Sequence, residues 1–489
     1  AKAMSRSKEI GVRKVSGGTK RQLFFQFMFE ALLVNFIAIG IALIAINGLG
    51  AFLVAFFDLD IPSDAFSLTP FYLELFGFWL FSSLITGLYP STILAAFSAA
   101  KALKGTLKFK LKGGLARPLT ITQLVSCVVI LAGTFTVYFQ VVHMRQQELG
   151  MSMENKVVVR SPMLFVEGSG TYQKIIHQEF TRIEGVTKVA ATNEIPGNEV
   201  YWRSDQFYRE GAKANGTMYT MLNVGDHYFD VFDIHLKSGR YFYTDREEGS
   251  EAIINEKARI ALGFETNEAA LGEKLMYENF GVEIVGVVDD FRQQGVNKPI
   301  EPLVLNYASG DLNYYIVAID NSKIEETLAQ IGATFKRLFP ASPLEYFFLD
   351  AHFEKQYKSE KQFARLFYFA AVVAIIIAIM GIVGVTTQLI IQRNKEVSVR
   401  KILGATVGDV FQLISKEFIY WLLICYAIAI PLSYFLFSQW LNHFLVRIDL
   451  GWWFFTIPAL LVALIFILST VFQTLKVALI NPAKTLKDE

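Results

Sequence analysis

The chain has 489 residues, of which 53% are hydrophobic and only 19% are charged, and its mean hydropathy is +0.37. A soluble domain of ordinary composition carries more charge, so this composition favours a membrane protein and argues against a wholly soluble one. The formal net charge of +1 lacks the basic excess that nucleic-acid binding requires, so we expect no nucleic-acid partner.

Six stretches lack Asp, Glu, Lys and Arg over more than the roughly 20 residues that a helix needs to cross a bilayer core. They cover residues 31–57, 75–100, 118–144, 366–392, 418–446 and 451–475. Because backbone polar groups in lipid must be paired within the segment, each stretch is predicted to be a transmembrane helix. Pro90 and Pro431 lie inside two of them and predict kinks or early helix ends. Cys127 and Cys425 also lie in these stretches, and we interpret both as small buried hydrophobic residues.

The loop charges predict the orientation of these helices. Lys and Arg are concentrated before the first stretch, between the second and third, after the fourth and after the sixth. The connection after the first stretch carries Asp58, Asp60 and Asp64 and no basic residue. By the positive-inside rule, both chain ends are predicted to be cytoplasmic and residues 145–365 to be outside.

The outer segment has the composition of a mixed α+β domain, which we place at residues 145–349. Strands are predicted at residues 156–160, 217–224, 283–288 and 314–319, and helices at residues 172–183 and 324–339. Residues 350–365 predict a charged helix that continues without a breaker into the fourth apolar stretch as a stalk. The predicted fold class is therefore an α-helical polytopic membrane protein, with six transmembrane helices and one α+β extracytoplasmic domain.

No group of residues in the outer domain predicts catalysis or metal binding. Its histidines, His177, His227, His235 and His352, are scattered and lack carboxylates at ligand spacing. Asp289 and Asp290 form one tight acidic pair, which a turn at the end of a strand explains better than acid–base chemistry. We therefore predict no catalytic residue and no metal site, and we interpret the domain as a binding or force-transmitting module.

An internal repeat is the most informative feature of the chain. Residues 8–21, KEIGVRKVSGGTKR, and residues 395–408, KEVSVRKILGATVG, share the same residue at half of the aligned positions. The repeated residues to which we assign a docking role are Lys8, Glu9, Arg13, Lys14 and Gly17 in the first copy and Lys395, Glu396, Arg400, Lys401 and Gly404 in the second.

Each copy predicts a short charged helix that ends at a glycine in the left-handed conformation. N-caps of a following helix are predicted at Thr19 with Gln22 and at Thr406 with Asp409. We name the resulting helix–turn–helix bends the first elbow, residues 6–30, and the second elbow, residues 393–417. Their alternating acidic and basic side chains suit docking on a soluble partner. Pairing with anionic lipid explains the Lys and Arg residues, but not the recurrence of Glu, Gly and Thr.

An acidic residue recurs where each elbow meets the membrane, namely Glu30 and Glu417. An interfacial ion pair with a nearby Lys or Arg is one interpretation of these residues. A role in coupling is the other.

The elbow sequence KExxVRKxxGAT after an apolar helix resembles that of the MacB/FtsX-like permeases, the type VII ABC transporters. EAIIN at residues 251–255, IVGVVDDF at 284–291, FLD at 348–350 and the glycines of 381–384 are similar to tandem permeases of Bacteroidota-type bacteria. In such permeases one chain carries two copies of a helix, a periplasmic domain and three further helices. Residues 118–489 correspond to one copy and residues 1–117 to the end of another. We therefore expect a native chain of about 800 residues.

The resemblance implies a domain organisation. It assigns residues 1–117 to the end of the first repeat (an elbow, two transmembrane helices and a basic tail), 118–144 to a transmembrane helix, 145–349 to a two-part periplasmic α+β domain, 350–392 to the stalk and its transmembrane helix, 393–417 to the second elbow, and 418–489 to two transmembrane helices and the cytoplasmic tail.

The resemblance also implies the membrane subunit of an ABC transporter in the bacterial inner membrane. The elbows would dock on a separate cytoplasmic ATPase, present in two copies, which carries ATP and Mg²⁺. This chain contains no GxxxxGK[ST] sequence, and no cofactor is expected on it. ATP hydrolysis would move the periplasmic domains, for export or mechanotransmission, together with a periplasmic or outer-membrane partner.

Two other classes of function compete with the transporter interpretation. An ATP-independent, membrane-anchored sensor predicts no ATPase partner and leaves the two similar elbows unexplained. A membrane-anchored enzyme is disfavoured because no catalytic group is recognisable. The fold does not identify a cargo.

Overall fold

A computed structural model describes residues 12–58, 69–96, 116–162, 172–242, 249–278, 280–310, 312–402 and 406–478. The α-helices are α1 Lys20–Phe57, α2 Thr69–Ala96, α3 Ala116–Arg145, α4 Tyr172–Thr181, α5 Tyr228–Phe232, α6 Glu256–Ala261, α7 Ile324–Leu338, α8 Leu349–Glu354, α9 Lys358–Ile402, α10 Val407–Leu441 and α11 Trp453–Ala478. The strands are β1 Lys156–Arg160, β2 Val186–Thr192, β3 Arg203–Ser204, β4 Phe207–Arg209, β5 Tyr219–Val224, β6 Leu236–Gly239, β7 Glu251–Asn255, β8 Lys274–Tyr277, β9 Phe280–Val288, β10 Leu303–Tyr307, β11 Tyr314–Ile319 and β12 Tyr346–Phe348.

Six helices in the described part of the chain are long and apolar enough to cross a membrane, and they coincide with the six predicted stretches. The prediction of six transmembrane helices is confirmed, but several helix ends differ from it. Helix α1 begins at Lys20, directly after the predicted N-cap Thr19, so the second arm of the elbow and the apolar stretch from residue 31 form one helix. Helix α10 continues past Pro431 and ends at Leu441, so residues 442–446 do not belong to the membrane helix.

The chain divides into two compact units, one of residues 1–138, 361–439 and 449–489, and the other of residues 139–360 and 440–448. In the first unit, glycines allow the membrane helices to approach closely. A Cβ added at Gly133 in α3 would meet the rings of Phe367 and Phe437. The cysteines of α3 and α10 are free and buried in the same apolar cluster, as predicted.

The second unit contains a mixed sheet built from the twelve described strands, in the order β12-β1-β11-β2-β5-β10-β7-β9-β8-β4, with β3 beside β5 and β6 beside β9. Strands β5 and β10 pair in parallel, as do β7 and β9, and the other pairs are antiparallel. Each of the four predicted strands and both predicted helices is present with small differences at its ends. The α+β prediction is confirmed.

The sheet has two parts, and one residue pair, Thr192 with Val224, joins β2 of the first part to β5 of the second. The first part packs against α4 and α7 around residues such as Phe180 and Ile331. The second part packs against α6 around Ile254 and neighbouring apolar residues. A third apolar cluster contains residues from both parts. The two parts therefore share one apolar cluster, although a single residue pair joins them within the sheet.

The stalk is helical from Leu349 into the membrane helix, as predicted, but it contains a 3₁₀ turn that was not predicted. Helix α8 is followed by a 3₁₀ turn, Lys355–Tyr357, and α9 begins only at Lys358. Phe353 in α8 and Tyr357, the last residue of this turn, are both buried in the core cluster. These contacts favour the tighter turn, which sequence periodicity does not reveal.

Candidate functional site

The first elbow contains the predicted glycine turn. Gly17 has a φ of +95°, in the left-handed region. The N–H of Gly18 donates to the carbonyl of Arg13 at 2.9 Å, and the N–H of Gly17 donates to that of Lys14 at 3.2 Å. This pair of bonds is a Schellman motif, which satisfies the last carbonyls of the preceding helical turn. The predicted C-cap at Gly17 is confirmed.

The second arm of the first elbow begins with the predicted N-cap. The hydroxyl oxygen of Thr19 accepts from the N–H of Gln22 at 3.3 Å, and the Gln22 side chain accepts from the N–H of Thr19 at 2.9 Å. These reciprocal bonds form a capping box at the start of α1. Because both caps depend only on neighbouring residues, the sequence was sufficient to predict them.

The charged residues of the first elbow lie around this turn. The exposed Arg13 donates to the side-chain oxygen of Gln26 at 2.7 Å, which ties the two arms together. Lys14 is half-buried, and burial together with the neighbouring Lys20 ammonium lowers its pKa. The backbone caps and the bond between Arg13 and Gln26 therefore fix the bend. Lys8 and Glu9 lie outside the described residues.

In the second elbow the charged arm is the end of a membrane helix. Lys395, Glu396, Arg400 and Lys401 lie in the last turns of the 45-residue helix α9, where only the backbone is described. Helix α10 then begins at Val407, directly after Thr406. Gly404 lies outside the described residues. The arm that we predicted to be a short separate helix is thus continuous with α9.

The two membrane-end acids lie within helices. Glu30 is half-buried in α1. Glu417 lies in α10, at a position where only the backbone is described. The choice between an interfacial ion pair and a coupling role stays open for both residues.

The base of the stalk is bonded to two loops of the α+β domain. The Gln356 side chain donates to the carbonyl of Gly197 at 2.7 Å, and the ring of His352 lies 2.9 Å from the Asn198 side-chain oxygen. The side chain of Asn297, in the second loop, donates to that of Glu360 at 3.1 Å. We name α8, the 3₁₀ turn and loops 195–198 and 293–297 the stalk joint.

The recognised motif EAIIN forms strand β7, whose five residues are all buried. Glu251 makes a bidentate ion pair with Arg240, with N–O distances of 2.6 and 3.0 Å. Asn255 caps α6 by accepting from the N–H of Ala258, and it also accepts from the N–H of Leu303. The polar residues at both ends of this motif are therefore structural.

The acidic pair at the end of β9 is divided between two partners. Asp289 lies 3.0 Å from the ammonium of Lys237, and Asp290 accepts from the N–H of Lys257 at 3.0 Å. Burial raises the pKa of Asp290, and the Lys257 N–H opposes that rise. These separate contacts agree with the structural interpretation of the pair.

Sequence reasoning missed one grouping of histidines. His177 in α4 and His227 before α5 stack with ring centroids 5.2 Å apart and an interplanar angle of 14°. The interpretation of the histidines as scattered is therefore wrong for this pair. Residues separated by fifty positions give no local signal, and only the fold brings them together. Among the described residues, no group of three or more His, Cys, Asp or Glu is placed to hold a metal ion.

These features define a class of protein: a polytopic membrane protein with six spanning helices, an α+β domain between the third and fourth, and an elbow sequence that occurs twice. The model for the FtsX-like permease C-terminal region matches residues 1–104 and 368–482, which contain both elbows. The model for the MacB-like periplasmic core domain matches residues 119–334. The chain belongs to the MacB/FtsX-like permeases of ABC transporters. Membership of this family argues against the interpretation of the chain as an ATP-independent sensor.

Several relatives are similar to part of the chain. The macrolide export ATP-binding/permease protein MacB of Sodalis glossinidius is 25% identical over 212 residues, which are 39% of this chain and 31% of that protein. The Escherichia coli protein of the same name is 25% identical over 226 residues, 43% of this chain and 34% of its own length. The chain thus spans about a third of the length of these curated relatives.

Among solved structures, the periplasmic region of MacB from Actinobacillus actinomycetemcomitans is similar, with 15% identity and a TM-score of 0.30. The match covers 41% of this chain and 92% of that one.

Proposed function

We propose that this chain is the permease of an ABC transporter, and that a separate cytoplasmic ATPase docks on its elbows in two copies. ATP-driven closure of the ATPase pair pushes on the elbows, and α9 transmits the movement to the α+β domain. This mechanism fits two kinds of work, namely the export of a cargo and mechanical work on a periplasmic or outer-membrane partner. The names of the relatives state export of macrolides for those proteins.

The observation that carries the proposal is the recurrence of the elbow. The first elbow has its two arms fixed by a Schellman motif and a capping box, with Arg13 exposed. The second elbow repeats the sequence at the end of α9. A bend that is rigid and charged presents a shape to a partner without losing much conformational entropy on binding. Two such bends suit a motor that acts as a pair.

The proposal includes an orientation in the bacterial inner membrane. Both elbows and both ends of the chain face the cytoplasm, and residues 145–365 are periplasmic. The support is the distribution of Lys and Arg, which are concentrated in the segments that this orientation places inside.

Reversing the charge of both elbows tests the docking. We expect the double variant Arg13→Glu with Arg400→Glu to lose most of the ATPase that co-purifies with the tagged chain from its native host. The introduced glutamates would then face an acidic surface of the ATPase. This repulsion should weaken the binding free energy by several kcal/mol, on the order of 3. Mass spectrometry of the purified complex measures how much of a protein with a GxxxxGK[ST] sequence is recovered. The rate of ATP hydrolysis by the same complex is the second measurement.

Lys336→Glu is the matched control, because Lys336 is an exposed base on α7 of the α+β domain, outside both elbows. It should leave the recovered ATPase and its activity unchanged. Undiminished recovery and activity in the double variant would show that the elbows do not bind the motor.

A further inference from the structure

Two adjoining cavities lie at the seam between the two parts of the sheet, on either side of the segment that follows β5. The first, of about 170 Å³, is lined by α4, β2 and Tyr315. The second, of about 230 Å³, is lined by residues 225–230 with Tyr241, Phe242 and Tyr307. Asp226 lines both cavities. Ligand sites are common at such junctions, where two packed units leave a concave surface.

The second cavity combines aromatic walls with acidic groups. The rings of Phe229 and Tyr241 are stacked with centroids 5.0 Å apart, and those of Phe242 and Tyr307 are 5.9 Å apart. The Tyr241 hydroxyl donates to the carbonyl of Ile234, so this polar end already has a partner. Asp226 and Asp230 are the acids of the described lining, and Nδ1 of His227, which also lines this cavity, lies 3.4 Å from an Asp230 carboxylate oxygen. The base Lys174 lines only the first cavity.

One carboxylate in this cavity is available to pair with a bound group. One carboxylate oxygen of Asp226 is buried and has no hydrogen-bond partner among the described residues. An unpaired buried acceptor is costly, and such groups in native proteins call for an explanation.

We infer that the second cavity binds a small organic cation, an ammonium group on an aromatic or aliphatic body. The ammonium would pair with the Asp226 carboxylate, and the apolar body would pack against the aromatic rings. Aromatic faces attract cations through their quadrupole, and a carboxylate beside them adds charge selectivity. A metal ion fits less well, because the described residues provide no cluster of three ligands here. An anion would meet two carboxylates.

The site also has a consequence for the domain. Gly225, directly before Asp226, is tightly packed, because an added Cβ would meet the side chains of Gln173 in α4 and Ala191 in β2. The cavity wall is thus packed directly against the seam. A ligand on Asp226 would therefore contact the segment that connects the two halves.

The test uses the full chain in lipid nanodiscs and two probes of nearly the same shape. Tryptamine carries an ammonium group, and tryptophol carries a neutral hydroxyl in its place. By isothermal titration calorimetry we expect saturable binding of tryptamine and binding of tryptophol at least about tenfold weaker, a difference of about 1.4 kcal/mol. Asp226→Asn should weaken tryptamine by at least about tenfold, since it removes the charge and retains the shape.

Two further variants guard against misfolding. Phe242→Leu, which removes one ring and leaves both carboxylates, should weaken tryptamine by about threefold to tenfold. Glu325→Gln, in the first turn of α7 and outside both cavities, should bind like the unaltered chain. Equal binding of tryptophol, unchanged tryptamine binding in Asp226→Asn, or no saturable tryptamine binding up to about 10 mM would each overturn the inference.

Discussion

At the scale of single residues, the recognised motifs are explained by buried polar contacts in the α+β domain. Glu251 is the clearest case, because its side chain is only 4% exposed and is paired in bidentate fashion with Arg240. Removing one partner of such a pair leaves the other charge buried and uncompensated. The acid at the start of EAIIN is therefore required by the fold, and no catalytic role is needed to explain it.

Replacing this acid should destabilise the domain. We expect Glu251→Gln to lower the free energy of unfolding by about 2–3 kcal/mol, less than for a fully buried pair because Arg240 is partly exposed. For a domain of this size, that corresponds to a Tm lower by about 5–10 °C. The loss of the β-sheet amide I band in the infrared reports this transition, since the membrane part is helical.

Glu199→Gln is the matched control. Glu199 pairs with Lys298 at 3.0 Å, but both side chains are about half exposed. Exposed pairs contribute about 0–1 kcal/mol, so its Tm should change by no more than about 3 °C. Equal shifts in the two variants would contradict the role assigned to burial.

Residue-scale predictability depends on the distance along the chain. The caps at Gly17 and Thr19 were predictable, because each is determined by residues within one helical turn. The stacking of His177 on His227 was not, because it requires the packing of α4 against the segment after β5. Likewise, no local sequence pattern predicts that Asp226 lines two cavities.

At the scale of elements, the stalk joint links a helix end to two loops through a few specific bonds. Gly295 in loop 293–297 has a φ of +86°, and a Cβ added there would meet the side-chain amide of Gln356. That amide donates to the carbonyl of Gly197. A side chain at position 295 must therefore displace Gln356 and break this bond.

Gly295→Ala should destabilise the joint by more than the backbone conformation alone requires. Gly263→Ala is the matched control, because Gly263 has a similar φ of +81° and open space around its Cβ position. We expect the Gly295 variant to lose about 1 kcal/mol more than the control, from the broken bond and the crowding. The same infrared melting experiment on both variants measures the difference.

A double variant separates crowding from backbone strain. In Gly295→Ala with Gln356→Ala the crowding is gone, so the two effects should be non-additive by about 0.5–1 kcal/mol. Strict additivity would show that the joint does not depend on this contact.

The element boundaries show where periodicity stops being informative. Apolar length identified the six membrane helices, because only lipid burial requires such long uncharged segments. It did not show the 3₁₀ turn within the stalk, where Phe353 and Tyr357 are buried, or the end of α10 at Leu441. Neither feature follows from the length of an apolar segment.

At the scale of the whole molecule, the repeat and the composition predicted the class of protein, and the family models confirm that class. The division of the sheet into two parts joined at Thr192 and Val224 was expected only through the family resemblance. Sequence alone could not reveal it, since the pairing of β5 with β10 and of β7 with β9 joins segments far apart in the chain. Which cargo or partner is moved depends on surfaces that neither the repeat nor the fold identifies.

Photocrosslinking in the living native host tests most directly whether the two elbows bind an ATPase. A photoreactive benzoylphenylalanine placed at Lys14 or at Lys401 should give, on irradiation, an adduct with a protein that carries a GxxxxGK[ST] sequence. The same group at Lys336, on the α+β domain, should give no such adduct. Adducts with lipid alone at both elbow positions, from a chain that is correctly inserted, would contradict the account.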